Sequence, residues 1–336
     1  MTLSILSTLK ENQRINQLLI SLFEQRNAHV QFAESWLPDQ TIQFLDAFDT
    51  PCDCLVWIDE LWRYETITKI MIDHPKLRNI DVFIVTYGYQ NKQLGPRTWA
   101  ISWPSFFMHS LNTPDDFVIK SSNLEFGYNC LNFGTQIHRI LLGYHLYQQG
   151  LLDQVMFTQN NQGPVNALIF DTLPNFDEYK NLLPILQPDP LDPKLGNIRD
   201  YGPFVYHHSY RDCYCNIVTE TQTDGYPDRM NFETITEKSY KPFVAKQVPV
   251  MLASRGHIAY LKSLGFEMME NLLPPDYDNM WTEEKISAIV NVVSKGRDFI
   301  RDFYFDHTRE IEHNHKLWFS GKVEQQIIQR VKNILT

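Results

Sequence analysis

The chain has 336 residues, of which 43% are hydrophobic and 21% are charged, as is usual for a globular protein. This length predicts two domains of about 150 residues each. A formal net charge of −10 argues against a protein that coats nucleic acid by charge alone. No apolar run approaches the roughly 18 residues that a membrane span needs, so we expect no membrane partner.

The first residues predict an amphipathic helix. Ile15, Leu18, Leu19 and Leu22 follow the spacing of one helix face. Polar residues at 10–12 interrupt the apolar core that a signal peptide would need. The segment therefore favours a cytoplasmic protein over a secreted one.

Short apolar or aromatic runs alternate with helix-like segments along the first third of the chain. The runs that predict strands cover residues 28–33, 52–58, 80–88 and 98–103, and residues 59–74 predict a helix. Strand–helix alternation is typical of a parallel sheet covered by helices. A polar, turn-rich stretch at 112–127 predicts a linker.

The same pattern restarts after the linker. Strands are expected at 128–132, 154–158, 213–221 and 248–253, with a helix at 136–152. Pro cannot continue a helix or an inner strand, so the Pro-rich stretch 183–197 predicts an irregular excursion. The chain from 282 to 336 has helical periodicity.

We therefore predict an α/β fold in three parts. An N-terminal domain covers residues 1–122, a second domain covers 123–300, and a helical tail over 301–336 packs back on the first domain. Two open α/β sheets in tandem place a cleft between their strand ends, where ligands bind in such folds.

Two Cys-x-Cys pairs, Cys52/Cys54 and Cys213/Cys215, leave two interpretations open. Four thiolates could hold zinc. Both pairs lie in strand-like runs, however, where alternate residues share one face and serve as small core side chains. Structural zinc sites usually space their cysteines by two to four residues, which favours the core interpretation. Disulfides are not expected in a reducing compartment.

Thr236-Glu237-Lys238 places an acid beside a base shortly before the apolar run 248–253. Between a loop and a helix, unpaired backbone N–H groups form a seat for phosphate, and Lys238 or Lys241 adds positive charge. A carboxylate in the same place accepts hydrogen bonds from sugar hydroxyls.

Two neighbouring details bear on this motif. Pro242 suits the first turn of a helix if Ser239 is the N-cap residue. Glu220 ends the run "CNIVTE" and stands 17 residues before Glu237. Two strand ends that both carry Glu are expected to converge on one crevice. The alternative is a capped surface helix with an exposed ion pair.

Several motifs of the second half together resemble a known enzyme family. In order and spacing, "IVTET", "ITEKSYKPFVAKQVPVMLAS" and "YLKSLGF" resemble the nucleotide-sugar half of fucosyltransferase-like glycosyltransferases. "YNCLNFGTQIHRILLGYHLYQQGLLD" resembles the start of the C-terminal domain in glycosyltransferase-like proteins of bacteriophages and large viruses. The likeness covers roughly 128–153 and 210–279, and residues 1–120 resemble no family.

The resemblance implies a fold of the GT-B type, in which two Rossmann-like domains face each other across a cleft and a C-terminal helix braces them. The second domain would bind a nucleoside-diphosphate sugar and the first an acceptor. The implied reaction moves a hexose or pentose from that donor to a hydroxyl group.

Carried over by position, the resemblance also implies donor contacts. Glu220 and Glu237 would hold the ribose or sugar, and Lys238 would meet the diphosphate. The full set of implied donor contacts is Asn132, His138, Arg139, Glu220, Thr221, Thr236, Glu237, Lys238 and Lys241. The loop after Asn132, residues 133–136, lacks the Arg and Pro typical of the viral group, which lowers the charge expected at the diphosphate.

An inverting transfer needs a carboxylate base near the acceptor. Asp59 and Glu60, which follow the strand-like run 52–58, are the first candidates, and Glu34 is the second. Each has an alternative role as a helix N-cap or a surface acid. We expect an inverting mechanism without a metal cofactor.

Other residues allow a functional and a structural interpretation. Aromatic rings at 99, 103, 106 and 107 suit a sugar or an extruded base, and equally a core. Asp276-Tyr277-Asp278 has the form of a divalent-cation motif, but a loop or helix-capping role is preferred because it lies outside any predicted strand end. The spacing of His307, His313 and His315 suits metal ligands or an exposed helix equally.

The acceptor stays open between a glycan and a hydroxylated base in phage DNA. Residues 1–122 hold ten Lys and Arg against fourteen Asp and Glu, which argues against a duplex-binding face. The alternative function is a catalytically inactive module of the same fold that binds a glycan or a partner protein.

Overall fold

The computed structural model describes residues 13–23, 26–33, 38–58, 64–86, 91–103, 115–132, 136–159, 173–182, 208–221, 223–224 and 235–335. Within these ranges the chain forms two β-sheets covered by helices, one sheet in each half. The predicted α/β class with parallel sheets is confirmed. The Pro-rich stretch 183–197 lies outside the described residues.

The first sheet contains five strands in the order β1-β2-β3-β5-β4. Its strands are β1 (Ala28–Phe32), β2 (Cys54–Ile58), β3 (Asp81–Thr86), β4 (Lys92–Gly95) and β5 (Thr98–Ser102). Four of them pair in parallel, at the positions that the apolar runs predict, and β4 pairs antiparallel to β5 at the sheet edge. The sequence gives no sign of β4, because its residues are polar and partly exposed.

Helices cover both faces of this sheet. They are α1 (Gln13–Ser21), α2 (Pro38–Ala47) and α3 (Tyr64–Asp73). Leu55 and Trp57 of β2 belong to the apolar cluster that contains Leu45 of α2 and Ile67 of α3. Val56 belongs to the other cluster, together with residues of α1. The predicted amphipathic helix is therefore confirmed within its described part, since Leu19 is fully buried.

The second sheet contains four parallel strands in the order β7-β6-β8-β9. Its strands are β6 (Phe126–Asn132), β7 (Val155–Gln159), β8 (Cys213–Thr219) and β9 (Val248–Leu252). Helix α4 (Ile137–Gln148) connects β6 to β7, followed by two short helices, α5 (Phe176–Asn181) and α6 (His208–Asp212). Because all four strands run in one direction, their carboxyl ends lie at one edge of the sheet.

Helices dominate the rest of the second half. They are α7 (Lys241–Val244), α8 (His257–Ser263), α9 (Thr282–Ser294), α10 (Gly296–Asp306), α11 (Thr308–Phe319) and α12 (Lys322–Leu335). Helix α10 packs on β6 and β8, and α11 packs on α7. The predicted helical character after residue 282 is confirmed.

Contacts join the two halves of the chain. Helix α12 contacts β5, and Arg26 donates a hydrogen bond to the carbonyl oxygen of Leu335. Tyr260 on α8 is hydrogen-bonded to Ser102 at the end of β5. One continuous apolar cluster contains residues from one face of the first sheet, from the second sheet and from the C-terminal helices.

The Cys-x-Cys pairs are buried to different extents. Cys213 and Cys215 are fully buried in β8, and burial raises the pKa of both thiols, which disfavours the thiolate that zinc requires. The sequence predicted that Cys52 and Cys54 share one face of a strand, but they do not. Cys54 belongs to the large cluster, whereas Cys52 precedes β2 and packs on the smaller one.

Among the described residues, no helix combines the length and the apolar character that crossing a bilayer requires.

Gly143 lets α4 approach β7 closely, and its replacement provides a test of the packing that positions this helix. Gly143→Ala should destabilise the fold, although Ala favours helices by about 1 kcal/mol. A Cβ there would lie 2.7 Å from the Phe157 ring and closer still to the Tyr179 hydroxyl. Overpacking typically costs about 1–3 kcal/mol, so after the gain in helix propensity urea unfolding should show a net loss of up to about 2 kcal/mol. The exposed Gln148→Ala on the same helix is the control, and a stabilised Gly143→Ala would contradict the packing described.

Candidate functional site

The predicted donor-site residues of the second half gather at the carboxyl edge of the second sheet. Asn132 ends β6, Thr219 ends β8, and Glu220 directly follows β8. The Thr219 hydroxyl donates a hydrogen bond to the Asn132 side-chain oxygen, which joins the two strand ends. Ligands of open α/β sheets bind at this kind of edge.

Glu220 lies at the centre of this polar cluster and has no exposed surface. One carboxylate oxygen accepts hydrogen bonds from the Thr236 backbone N–H, at 3.1 Å, and from the Ser239 hydroxyl. The other accepts from the Thr236 hydroxyl, at 2.7 Å, and from the Thr221 backbone N–H, at 3.1 Å. These four contacts occupy the carboxylate with groups of the protein itself.

The Thr-Glu-Lys motif begins a 3-10 helix, Glu237–Tyr240, that continues into α7. Its N-cap is Thr236, whose hydroxyl lies 3.5 Å from the Lys238 backbone nitrogen. The prediction that Ser239 is the N-cap is wrong, because the Ser239 hydroxyl bonds to Glu220 instead. Pro242 lies in the first turn of α7, as expected.

Glu237 and Lys238 form an ion pair beside this cap. The Lys238 ammonium lies 2.7 Å from the Glu237 carboxylate, and 3.3 Å from the hydroxyls of Thr221 and Thr236. The Lys238 side chain keeps 21% of its surface exposed, against 9% for Glu237. Lys238 therefore has the geometry of a cation that reaches solvent at the rim of a buried polar cluster.

The charges here perturb one another. Burial acts to raise the pKa of the Glu237 carboxyl, but Lys238 and Lys241 outweigh it and hold that pKa below its usual value. Burial lowers the pKa of Lys241, which Glu237 and Glu220 partly oppose. At neutral pH the Glu237 carboxylate is thus ionised and interacts electrostatically with both Lys238 and Lys241.

His138 and Arg139 lie at the start of α4 and are buried. The Nε2 atom of His138 is 2.8 Å from the carbonyl oxygen of Glu220. The Arg139 guanidinium donates to the carbonyl oxygens of Thr219 and Glu220, both at 3.1 Å, and to the Gln136 side chain. Both side chains therefore fix the carboxyl end of β8, and their contact with a donor phosphate remains a prediction.

Ser239 and His257 complete the cluster. The sequence did not indicate that these two side chains would be hydrogen-bonded to each other. The Nε2 atom of His257, at the start of α8, lies 2.8 Å from the Ser239 hydroxyl, which in turn donates to Glu220. The three groups form a buried chain with Ser239 in the middle. A nucleophilic triad would place the histidine in the middle, so this chain has the geometry of a positioning network.

The candidate bases Glu34, Asp59 and Glu60 lie outside the described residues, as does the loop 133–135. The described strands β1 and β2 pair in parallel and end at Phe32 and Ile58, shortly before these acids in the chain.

The aromatic candidates of the first half belong to the core where they are described. Trp103 is 1% exposed, and Trp99 is half-buried and stacks on Phe83 with ring centroids 5.2 Å apart. Phe106 and Phe107 lie outside the described residues.

Asp278 of the Asp-x-Asp motif caps α8, as the structural interpretation predicted. Its carboxylate accepts from the backbone N–H groups of Ile258, at 3.0 Å, and Ala259, at 2.9 Å. Within the described ranges, no three His, Cys, Asp or Glu side chains gather as metal ligands would.

The three C-terminal histidines have separate partners. His307 contacts the Phe303 carbonyl oxygen, His313 that of Gly265, and His315 that of Val244 and the Asp115 carboxylate.

Comparisons with known proteins find only distant likenesses. No protein-family profile matches the chain, and no curated protein matches it significantly. The chain is similar to a crystal structure of an alpha1,3-fucosyltransferase with GDP-fucose, at 9% identity and a TM-score of 0.38, covering 91% of this chain and 90% of that one. An alpha1,3-fucosyltransferase with GDP gives 10% identity and a TM-score of 0.36, covering 90% and 92%.

These solved structures are of the enzyme class that the sequence motifs resemble. A TM-score below 0.5 carries no weight for the site or the activity. The site and the activity are therefore argued from the residues of this chain alone.

Loss of the Glu220 carboxylate should loosen the whole edge. In Glu220→Gln one acceptor oxygen becomes an NH₂ group that faces N–H and O–H donors, so the free energy of unfolding should fall by about 1–3 kcal/mol. Urea unfolding measures this. The exposed Glu125→Gln is the matched control and should change stability by less than about 0.5 kcal/mol. Equal effects of the two variants would show that the four contacts of Glu220 do not stabilise the fold.

The lowered pKa of Glu237 predicts a pH dependence of stability. A carboxyl whose pKa is lower in the folded state stabilises the fold above the unfolded value, about 4.3, and loses this contribution as the pH falls through the folded value. The stability difference between wild type and Glu237→Gln should therefore shrink on acidification below about pH 4.3. Urea unfolding between pH 7 and 3 measures it, and a constant or growing difference would contradict the assignment.

Proposed function

We propose that the protein is a glycosyltransferase that binds a nucleoside-diphosphate sugar at the carboxyl edge of its second sheet. The observation that carries this proposal is the Glu237–Lys238 pair, held at the rim of that edge by a buried hydrogen-bond network around Glu220. An acceptor and a cation at one strand edge match the two needs of such a donor, which are hydroxyl recognition and phosphate neutralisation.

The two residues divide the task by their chemistry. The Glu237 carboxylate stays ionised at neutral pH and accepts hydrogen bonds from ribose or sugar hydroxyls. The Lys238 ammonium meets the diphosphate as a compact charge, and Lys241 behind it adds to the positive potential. Thr221 and Thr236 hold the ammonium in place through their hydroxyls.

The buried residues act as positioning groups in this proposal. Glu220 fixes Thr236 and Ser239, whereas His138 and Arg139 fix the backbone at the end of β8. They keep the pair at a constant geometry, so part of their effect on turnover would pass through Glu237 and Lys238.

The first sheet would supply the acceptor and the base. The acceptor hydroxyl attacks the anomeric carbon as the bond from that carbon to the diphosphate oxygen breaks, with inversion. Glu34, Asp59 or Glu60 takes the hydroxyl proton, and the nucleoside diphosphate leaves with the electron pair. In this proposal a cleft between the two sheets would hold donor and acceptor together, and the contact of α12 with β5 would brace it.

Lysine charge rather than a divalent cation would stabilise the leaving diphosphate in this mechanism. The sugar is a hexose or pentose, and its acceptor is a hydroxyl of a glycan or of a hydroxylated DNA base. The excess of acidic residues in the first 122 favours the glycan.

One observation favours a second function, a non-catalytic module that binds a glycan or a protein. Two of the four basic residues implied at the donor site, His138 and Arg139, are already bonded to backbone carbonyl oxygens. A site with weak phosphate attraction could retain the fold without turnover.

Lys238→Ala tests the proposed function. Wild type should show a raised melting temperature with at least one of UDP, GDP, CMP or dTDP sugars, because a ligand that binds only the folded state stabilises it. Lys238→Ala should lose most of that shift while its own melting temperature changes little. Differential scanning fluorimetry measures both quantities.

The control is Lys262→Ala, which removes an exposed lysine of α8 that is paired with Glu270. It should keep the full shift. A normal shift in Lys238→Ala would contradict the donor site, and a shift without any sugar transfer to glycan acceptors would favour the binding module.

A further inference from the structure

A second polar and aromatic group lies beyond the carboxyl end of β9. Trp281, directly before α9, is 48% exposed, although most large apolar side chains of the described chain are buried. The guanidinium carbon of Arg255 lies 4.1 Å from the centroid of its indole ring. Arg255 itself is 41% exposed. We name these two residues the Arg–Trp platform.

Buried groups hold the platform in place. The buried carboxylate of Asp224 accepts from the Arg255 backbone N–H, at 2.6 Å, and lies 3.4 Å from the Arg255 Nε atom. The Asp224 carbonyl oxygen accepts from the hydroxyl of Thr282, the residue after Trp281. Asp224 thus holds both Arg255 and the backbone beside Trp281. Because the stack is already ordered, a ligand that binds to it loses little free energy in ordering these side chains.

The platform is connected to the Glu237–Lys238 pair through a buried histidine. His257 lies two residues after Arg255, and its ring is hydrogen-bonded to Ser239, the neighbour of Lys238. One hydrogen bond and three peptide steps therefore separate Arg255 from Lys238. Asp224 follows Glu220 by four residues in the same loop. The two groups belong to one continuous edge of the sheet.

We propose that the Arg–Trp platform stacks the base of the nucleotide whose diphosphate meets Lys238, an inference that rests on the proposed function. A planar indole backed by a planar guanidinium offers a flat, polarisable surface, and bases bind such surfaces by stacking. Every base has a π face, so the platform adds affinity for nucleotides as a class. A sugar ring would instead require hydrogen-bonding partners for its hydroxyls, and the Asp224 carboxylate is engaged with Arg255.

The test compares a ligand that has a base with one that lacks it. UDP, GDP and inorganic pyrophosphate are titrated by calorimetry into wild type, Trp281→Ala and Trp281→Phe. Trp281→Ala should weaken binding of the tighter nucleotide by roughly 5- to 150-fold, the range for one base–aromatic stack. Pyrophosphate should bind all three proteins alike, and Trp281→Phe should recover much of the nucleotide affinity.

A matched control is Phe305→Ala, which removes an exposed aromatic side chain on α10 and should leave nucleotide binding unchanged. Unaltered nucleotide affinity in Trp281→Ala would overturn the inference, and so would equal losses of nucleotide and pyrophosphate. If Trp281→Ala binds nucleotide normally but Lys238→Ala binds neither nucleotide nor pyrophosphate, the inference fails and the proposed function stands. Absence of nucleotide binding to wild type would overturn both.

Discussion

The arrangement at the carboxyl edge of the second sheet depends on the enclosure of one carboxylate. Burying a charged group is costly unless hydrogen bonds replace its lost water, and Glu220 has two donors on each oxygen. These donors come from the residue after it and from a segment sixteen to nineteen positions later. The carboxylate therefore joins the end of β8 to the 3-10 helix at 237–240, and the position of Glu237 and Lys238 follows from that bond pattern.

Burial and exposure at this edge are complementary. His138 and Arg139 satisfy the last carbonyl oxygens of β8, so the strand end needs no ligand to be complete. Lys238 next to it keeps part of its surface in solvent. The end of β8 is thus rigid, its carbonyl oxygens are already hydrogen-bonded, and an accessible lysine lies beside it. Such an arrangement is suited to binding an anion, because little reorganisation is needed when the anion arrives.

The sequence predicted the strands of both sheets because burial on a sheet face leaves a local apolar pattern, as in residues 54–58 and 248–252. It also predicted that Glu237 lies near Glu220, but not the reason: Glu237 begins a 3-10 helix and ends no strand, and hydrogen bonds from Thr236 to Glu220 bring the two together. It did not predict the partners of Ser239 and His257, which depend on a buried acceptor far along the chain. Strand β4 escaped for the opposite reason, because an edge strand of polar residues leaves no pattern.

The charges at this edge would also respond to an anionic ligand. Lys241 is disfavoured as a cation by its burial, and Glu237 and Glu220 only partly restore it. A diphosphate at Lys238 would add negative charge nearby and favour the protonated form of Lys241. By linkage, the protonated lysine would in turn favour the diphosphate. A neutral sugar at the same edge would lack this coupling, because it would add no negative charge near Lys241.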